Sequence, residues 1–149
     1  MKTTKIVINY YDKNNTLSEE IVWAENYKDN YYIKNIPFFA PSIAYNDLIS
    51  VEQEDDILYF DELIEVSNNS TVRIIFFTES EYTIKQVLDE IEKNFCEWEG
   101  MTDRPYYAVN IPKDINYNTV KQYLDQQKLT LDYEESCLSE KHKLDIIEF

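Results

Sequence analysis

The residues of this chain best suited to chemistry are carboxylates, and one short segment holds many of them. That segment carries six acidic side chains: Glu52, Glu54, Asp55, Asp56, Asp61 and Glu62. Carboxylates can bind divalent cations, but a calcium loop needs alternating acids around a sharp turn, usually with glycine, and that spacing is absent. The pattern therefore indicates either a solvated hairpin tip or a contact surface for a basic partner, and it predicts no metal site.

A second acidic stretch, Glu97-Trp98-Glu99, places an aromatic ring between two carboxylates. This composition is typical of surfaces that meet Lys or Arg of another protein. A strand with one inward-facing Trp has the same sequence, so both interpretations stay open. With the six acids above, these three residues are the candidate partner-binding residues.

Catalytic groups of other kinds are sparse. The chain has one His, His142, two cysteines, Cys96 and Cys137, and one glycine, Gly100. His142 lies between two lysines in a polar segment, and no third group completes a Cys–His arrangement. A single glycine allows neither a Gly-rich phosphate loop nor a Gly-x-Ser-x-Gly turn. The sequence predicts no enzyme, no catalytic residue and no cofactor.

The charge balance narrows the choice of partners. The net charge is −15 over 149 residues, while 44% of residues are hydrophobic and 15% aromatic, enough for a folded core. Repulsion from phosphates argues against nucleic acid and against anionic membranes. A basic protein stays open as a partner. The alternative is that the acidity has no partner and only keeps the protein soluble. Without a signal segment or a membrane span, the sequence predicts a cytoplasmic protein.

The first half of the chain has the alternating pattern of short strands. Apolar and polar residues alternate in several segments, with Ile21 and Trp23 on one face of the second. The predicted strands cover 5–11, 19–27, 31–34, 48–51 and 57–66. Strands of this length and spacing predict a small antiparallel β-barrel-like sheet.

The second half adds the helical period. The predicted helix face consists of Ile84, Val87, Leu88, Ile91 and Phe95. Thr83 is the predicted cap, and Gln86 completes a capping box. A second helix begins at 116 or 118. Strands are predicted at 71–77, near 95–98, at 106–111 and at 129–133.

The resulting order is β-α-β-β-α-β. The predicted fold is α+β, with a β-rich barrel-like subdomain at 1–67 and a ferredoxin-like βαββαβ subdomain at 68–149. Asn68-Asn69 is predicted to form a tight hairpin turn between them. Whether the two share one core stays open.

Two further segments have structural and functional interpretations. The run from Asn35 to Pro41 contains adjacent phenylalanines between two prolines. Proline fixes φ, so the run is predicted to plug the end of the sheet, with an exposed ligand lip as the alternative. Arg73 lies within an apolar strand and is predicted to pair with a carboxylate such as Asp47 or Glu65.

The chain resembles a bacterial family, DUF4265. The resemblance lies in Trp23-Ala24-Glu25, Tyr32 to Ala40, Asn46 to Ile49, Ser67 to Arg73 and Tyr107 to Pro112. This chain has Asn68 where the family pattern has glycine, and Tyr45-Asn46 where glycine commonly precedes the Asp, which affects turn geometry more than fold. The resemblance implies a small bacterial cytoplasmic protein, encoded near secreted toxins as an immunity protein.

Together these features favour a non-enzymatic, acidic protein-binding module that inhibits a basic bacterial toxin, for instance a nuclease. The alternative is a small-ligand-binding regulatory module, which rests on fold analogy and needs a pocket lined by Tyr and Arg73. A hydrolase that uses carboxylates has no supporting spacing. The sequence does not define the oligomeric state.

Overall fold

Alternation between buried and exposed residues builds the first five strands. The computed structural model describes residues 3–147. In the first two strands, Ile6, Ile8 and Val22 are buried, whereas the residues between them face outward. The strands are β1 (Thr3–Tyr11), β2 (Leu17–Tyr27), β3 (Asn30–Ile33), β4 (Leu48–Glu54) and β5 (Ile57–Glu65).

These strands form one sheet in the order β1-β2-β3-β4-β5, and each consecutive pair is antiparallel. Val7 of β1 also lies opposite Tyr59 of β5 in a parallel pair, so the sheet closes on itself. Its interior is filled by small and branched side chains. They are Ile6, Ile8, Val22, Ala24, Ile33, Ala40, Ile43 and Ile49.

The second half combines a four-stranded sheet with three helices. Its elements are β6 (Ser70–Phe76), α1 (Glu81–Lys93), β7 (Glu97–Gly100), β8 (Tyr106–Ile111), α2 (Tyr117–Asp125), β9 (Leu131–Cys137) and α3 (Glu140–Asp145). Strands and helices thus alternate as β-α-β-β-α-β from Ser70 to Cys137. The sheet order is β7-β8-β6-β9, and all neighbours are antiparallel.

Side-chain caps set where the helices begin. Helix α1 begins after Ser80, whose side chain accepts a hydrogen bond from the Thr83 N–H at 3.3 Å. The predicted cap at Thr83 is therefore wrong, and so is the capping box, since Gln86 donates to Tyr82 Oη. Asn116 caps α2, which is one of the two predicted starts.

The chain divides after Ser67 into two compact units, residues 1–67 and 68–149, called here the first and second units. Asn68 has a φ of 70°, in the left-handed region that Asn tolerates. The predicted hairpin at this point is nevertheless wrong. Strand β5 pairs with β4 and β1, whereas β6 pairs with β8 and β9.

Each unit has its own hydrophobic cluster. In the second unit, the cluster includes Ile84, Val87, Leu88 and Ile91 of α1, as the helical period predicts. The prediction is wrong for Phe95, which is exposed because α1 ends at Lys93. The segment after Cys137, whose structure the sequence does not define, forms the short helix α3. Among residues 3–147, no helix combines the length and the apolar character needed to cross a bilayer.

Candidate partner-binding surface

The six acids of the first unit lie on the β4–β5 hairpin. Glu52 lies opposite Tyr59, and Glu54 lies opposite Ile57. Asp55 and Asp56 form the connecting turn, where Asp55 has a φ of 55°. All six acids, Asp61 and Glu62 included, are exposed.

None of these six carboxylates has an ion-pair partner within residues 3–147. The chain's charge is already strongly negative, so the hairpin concentrates negative charge that no lysine or arginine of the described segment neutralises. Such a surface attracts a cationic partner over a distance of about 10 Å at moderate salt.

The alternation of β4 and β5 decides which of the acids share a face. Val51, Leu58 and Phe60 pack against the interior cluster. Because neighbours along a strand point to opposite sides, Glu52, Tyr59 and Asp61 point away from it. The same alternation places Glu54 and Ile57 on the outside of the sheet.

Large apolar residues lie on this same side of the sheet. We call them the outer face, which consists of Val7, Tyr11, Leu17, Ile21, Trp23, Ile57 and Tyr59. Ile21 is 61% exposed, and Trp23 is 44% exposed. The sequence predicted that these two residues share a face. The structure shows that this face is turned to solvent, while Val22 and Ala24 fill the core.

A buried carboxylate explains the run from Asn35 to Pro41. Glu20 is only 9% exposed and points inward from β2. Its Oε2 accepts the N–H of Phe38 at 2.6 Å, and its Oε1 accepts the N–H groups of Phe39 at 3.0 Å and Ala40 at 2.8 Å. These bonds fix the backbone of the segment through a carboxylate that the pattern did not identify. Ala40, and not the predicted pair of phenylalanines, joins the interior cluster.

Asp47 fixes the end of the same loop. Its carboxylate accepts the N–H of Ala44 at 2.9 Å and the N–H of Ser67 at 2.8 Å. Burial raises the pKa of Asp47 above its ordinary value, against the lowering effect of these hydrogen bonds. A buried carboxyl with a raised pKa is a candidate catalytic acid. Its partners are the backbone N–H groups of Ala44 and Ser67 and the Ser67 side chain, which gives it a structural role.

The second candidate stretch, Glu97-Trp98-Glu99, forms β7. Trp98 packs against the core of the second unit and meets Tyr107 edge to face, with ring centroids 5.4 Å apart. Its Nε1 donates to Glu92 Oε1 at 2.9 Å. Trp98 is thus the inward-facing ring of an ordinary strand, while Glu97 is exposed and Glu99 half-buried.

Arg73 is buried in β6, and its Nη1 lies 3.4 Å from Glu134 Oε1 on β9. A carboxylate partner was predicted, but Glu134 was not among the candidates. The register between β6 and β9 selects it, and alternation alone does not reveal that register.

His142 is fully buried, contrary to its predicted place in a polar tail. Its Nδ1 lies 2.6 Å from Ser70 Oγ, and its Nε2 lies 3.0 Å from the Pro112 carbonyl oxygen. Ser70 is also fully buried, and its Oγ accepts the N–H of Ser139 at 2.9 Å. Although a Ser–His pair can act as a nucleophile and base, both groups are occupied within the core. The pair holds α3 against β6.

Cys96 is buried in the second unit. Burial raises the pKa of Cys96 to about 12, so its thiol is not nucleophilic at neutral pH. In the described part of the chain, no three His, Cys, Asp or Glu side chains are grouped so that they could hold a metal ion.

A cleft of about 270 Å³ lies in the second unit. Tyr133 and Lys128 contribute to its lining, but Arg73 does not. Tyr133 Oη donates to Asp125 Oδ1 at 2.5 Å and accepts from Lys121 Nζ at 3.0 Å. The tyrosine hydroxyl is therefore already occupied by neighbouring side chains.

Comparisons with known proteins agree with this architecture. A crystal structure described as a hypothetical protein from Neisseria gonorrhoeae is similar, with a TM-score of 0.82 and 32% sequence identity over 93% of this chain and 97% of that one. Among curated proteins, none matches this chain. The family model described as a domain of unknown function (DUF4265) matches residues 20–133. The chain therefore belongs to the DUF4265 family.

Proposed function

We propose that this protein is a non-enzymatic, acidic binding module that inhibits a basic bacterial toxin, such as a nuclease, by forming a one-to-one complex. The observation that carries the proposal is the β4–β5 hairpin. Its six exposed carboxylates have no ion-pair partner within residues 3–147.

The proposed mechanism is direct occupation of the toxin's cationic site. A nuclease holds its phosphate substrate with Lys and Arg, and carboxylates placed like phosphates meet the same side chains. The negative field of the module speeds association, and the complex weakens as salt rises. Inhibition then needs no chemistry from the module itself.

Capture from a lysate of the native host is the first test. The purified protein is immobilised, and the lysate is passed over it at low and at moderate salt. We expect it to retain one basic protein at one-to-one stoichiometry and to release that protein as salt rises. The retained protein should lose its activity when the module is added back. Retention without inhibition would contradict the proposal.

A charge-reversal variant locates the contact. We would change Glu54, Asp56 and Asp61 to Lys, leaving Asp55 because its backbone is in the left-handed region. Binding is expected to fall strongly. The control reverses Glu79, Asp103 and Asp114, which are exposed in the second unit and change the net charge equally. Equal loss in both variants would indicate that only net charge matters.

We also infer the architectural class of each unit. The parallel pairing of Val7 with Tyr59, which joins the last strand of the first unit to its first strand, supports a small barrel. The β-α-β-β-α-β order and the antiparallel sheet β7-β8-β6-β9 support a ferredoxin-like second unit. A crystal structure of the chain tests both assignments.

A small-ligand-binding regulatory module is the alternative function. The cleft beside Tyr133 and Lys128 is the feature that favours it. In that case the protein purified from its host would carry a small molecule and retain no basic protein, and native mass spectrometry distinguishes these outcomes.

A further inference from the structure

We propose that the outer face of the first unit is a docking surface for a basic protein. Apolar side chains form its centre, and the carboxylates of the β4–β5 hairpin flank it. This inference rests on the proposed function and names the surface through which the partner binds.

The composition of the outer face is unusual for strands exposed to solvent. Strands with one solvated face normally alternate apolar and polar residues, whereas apolar residues on both faces are typical of strands covered on both sides. In β2 the inward residues Val22 and Ala24 are buried, yet Leu17, Ile21 and Trp23 on the outward side are also apolar. An exposed apolar patch of this kind marks a contact surface.

Strand register joins these residues into one continuous patch. Ile21 lies opposite Val7, and Val7 lies opposite Tyr59. Tyr59 lies opposite Glu52 on β4. One row thus crosses four strands and leads from an exposed aliphatic side chain to an exposed carboxylate.

Two further pairs place an apolar residue opposite a charged one. Trp23 lies opposite Lys5 on β1, and Ile57 lies opposite Glu54 on β4. An apolar centre with a charged rim is the usual composition of a protein–protein interface.

Charge selects the kind of partner. Strand alternation places the exposed carboxylates Glu19, Glu52, Glu54 and Asp61 on the same outward side as the apolar residues. Lys5 is a cation on that side. A second copy of this chain would bring the same acids and a net charge of −15. An anionic lipid surface would be repelled for the same reason. A surface rich in Lys or Arg has the complementary charge.

The face also shows how it would hold a cation. Lys5 Nζ lies 5.3 Å from the centroid of the Trp23 ring. This is the cation–π geometry in which an arginine of a partner would stack. Tyr59 and Tyr11 offer two further rings on the same face.

A peptide titration followed by NMR tests the surface without knowledge of the natural partner. The probe is acetyl-Leu-Arg-Leu-Arg-Leu-amide, and its neutral control replaces each Arg with citrulline. The Arg peptide is expected to shift the Trp23 indole and Tyr59 ring signals, with an affinity reduced at high salt. Equal binding of the citrulline peptide, or shifts elsewhere, would overturn the proposal.

Matched variants separate this face from other exposed apolar residues. Ile21→Thr with Trp23→Thr keeps strand-forming residues at both positions while removing apolar area. We expect the Arg peptide to bind this double variant about 30-fold more weakly, which is typical for loss of interface anchors. Ile75→Thr is the control, since Ile75 is an exposed strand isoleucine of the second unit. Equal effects of both changes would overturn the inference.

Sedimentation tests the second-copy alternative. We expect a monomer at low and moderate salt. A dimer that the double variant dissociates would show that the outer face binds a second copy, and this would overturn the proposal of a basic partner.

The two proposals can fail separately. If a basic toxin is retained equally by the wild type and the double variant, the inhibitor function stands, and the proposal that the outer face is the docking surface is wrong. If the double variant loses the Arg peptide but no toxin is inhibited by the wild type, the surface stands and the inhibitor function is wrong.

Discussion

The two faces of strand β2 carry residues opposite to those expected, since charged side chains usually face solvent and aliphatic ones the core. A charged residue, Glu20, points into the closed sheet, and an aliphatic residue, Ile21, points into solvent beside it. The inward carboxylate is fully accounted for, because three backbone N–H groups of residues 38–40 donate to it. Among residues 3–67, no comparable set of contacts accounts for the outward apolar residues.

This difference separates residues that stabilise the fold from residues available for binding. A buried charge is tolerated only when hydrogen bonds replace its lost hydration, so Glu20 is part of the folding energetics. An exposed isoleucine gains little from folding, because most of its surface stays in water.

The largest effect is expected for Glu20→Ala. Three N–H groups, those of Phe38, Phe39 and Ala40, would lose their acceptor, and we expect a loss of about 3 kcal/mol or more in the free energy of unfolding. Urea unfolding measures it. Glu19→Ala is the control, because Glu19 is exposed and should change stability by about 0.5 kcal/mol at most. A loss below about 1 kcal/mol for Glu20→Ala would refute the proposed role.

The second unit has a buried polar group of the same kind in His142. Burial lowers the pKa of His142, and this outweighs the opposing effect of the hydrogen bond to the Pro112 carbonyl. The unfolded chain therefore takes up a proton at a higher pH than the folded protein does. The contribution to stability is complete above the unfolded value of about 6.5 and falls as the pH drops through it.

As the pH falls, we expect the free energy of unfolding to decrease by at most about 1.4 kcal/mol per pH unit through His142. The measurement is the difference in the free energy of unfolding between pH 7.5 and 5.5 for the wild type and for His142→Gln. The variant should show the weaker pH dependence. An identical dependence in both proteins would exclude His142 as its source.

Phe95 is an apolar residue held on the surface, and its backbone is strained. It is 79% exposed and has a φ of 65° at the end of α1. Its N–H donates to the Glu92 carbonyl and the Cys96 N–H to the Ile91 carbonyl, the pattern in which glycine is usual.

We expect Phe95→Gly to stabilise the second unit by about 1 kcal/mol in urea unfolding, because glycine adopts this conformation without strain. Phe95→Ala is the control, since it removes the exposed ring but keeps the strained Cβ. If the two variants have equal stability, the strain is not significant.

The smallest effect on stability is expected for the reversal of Glu54, Asp56 and Asp61 to Lys. All three are exposed, and none has an ion-pair partner in the described chain. We expect the melting temperature to stay nearly unchanged or to rise slightly, because self-repulsion decreases. A large decrease in the melting temperature would show that these acids stabilise the hairpin. That result would contradict their assignment to a binding surface.

Much of the fold could be predicted from periodicity. Alternation located the strands, and the spacing of Ile84, Val87, Leu88 and Ile91 located α1. Local rules succeed here because the relevant contacts are local. Positive φ was less predictable: Asn15, Asn46 and Asn68 adopt it, but so do Lys28, Ser42, Asp55 and Phe95.

The errors arise where distant residues determine the environment. Glu20 is buried because its hydrogen-bond donors lie 18 to 20 residues away. His142 is buried because it forms a hydrogen bond with Ser70, which lies 72 residues earlier in the chain. The exposure of the hairpin acids was foreseeable from their charge. The outer face was not, since alternation assigns residues to two faces without revealing which is inside.

The most direct test of the central claim is the unfolding free energy of two neighbouring sites on β2. The outer double variant Ile21→Thr with Trp23→Thr should stay within about 1 kcal/mol of the wild type, because both side chains lie on the solvent side of the sheet, outside the interior cluster. The inner variant Val22→Thr should lose about 2 kcal/mol, because it buries a hydroxyl in the core. If the outer variant loses as much as the inner one, the outer face serves folding, and the case for a docking surface there is contradicted.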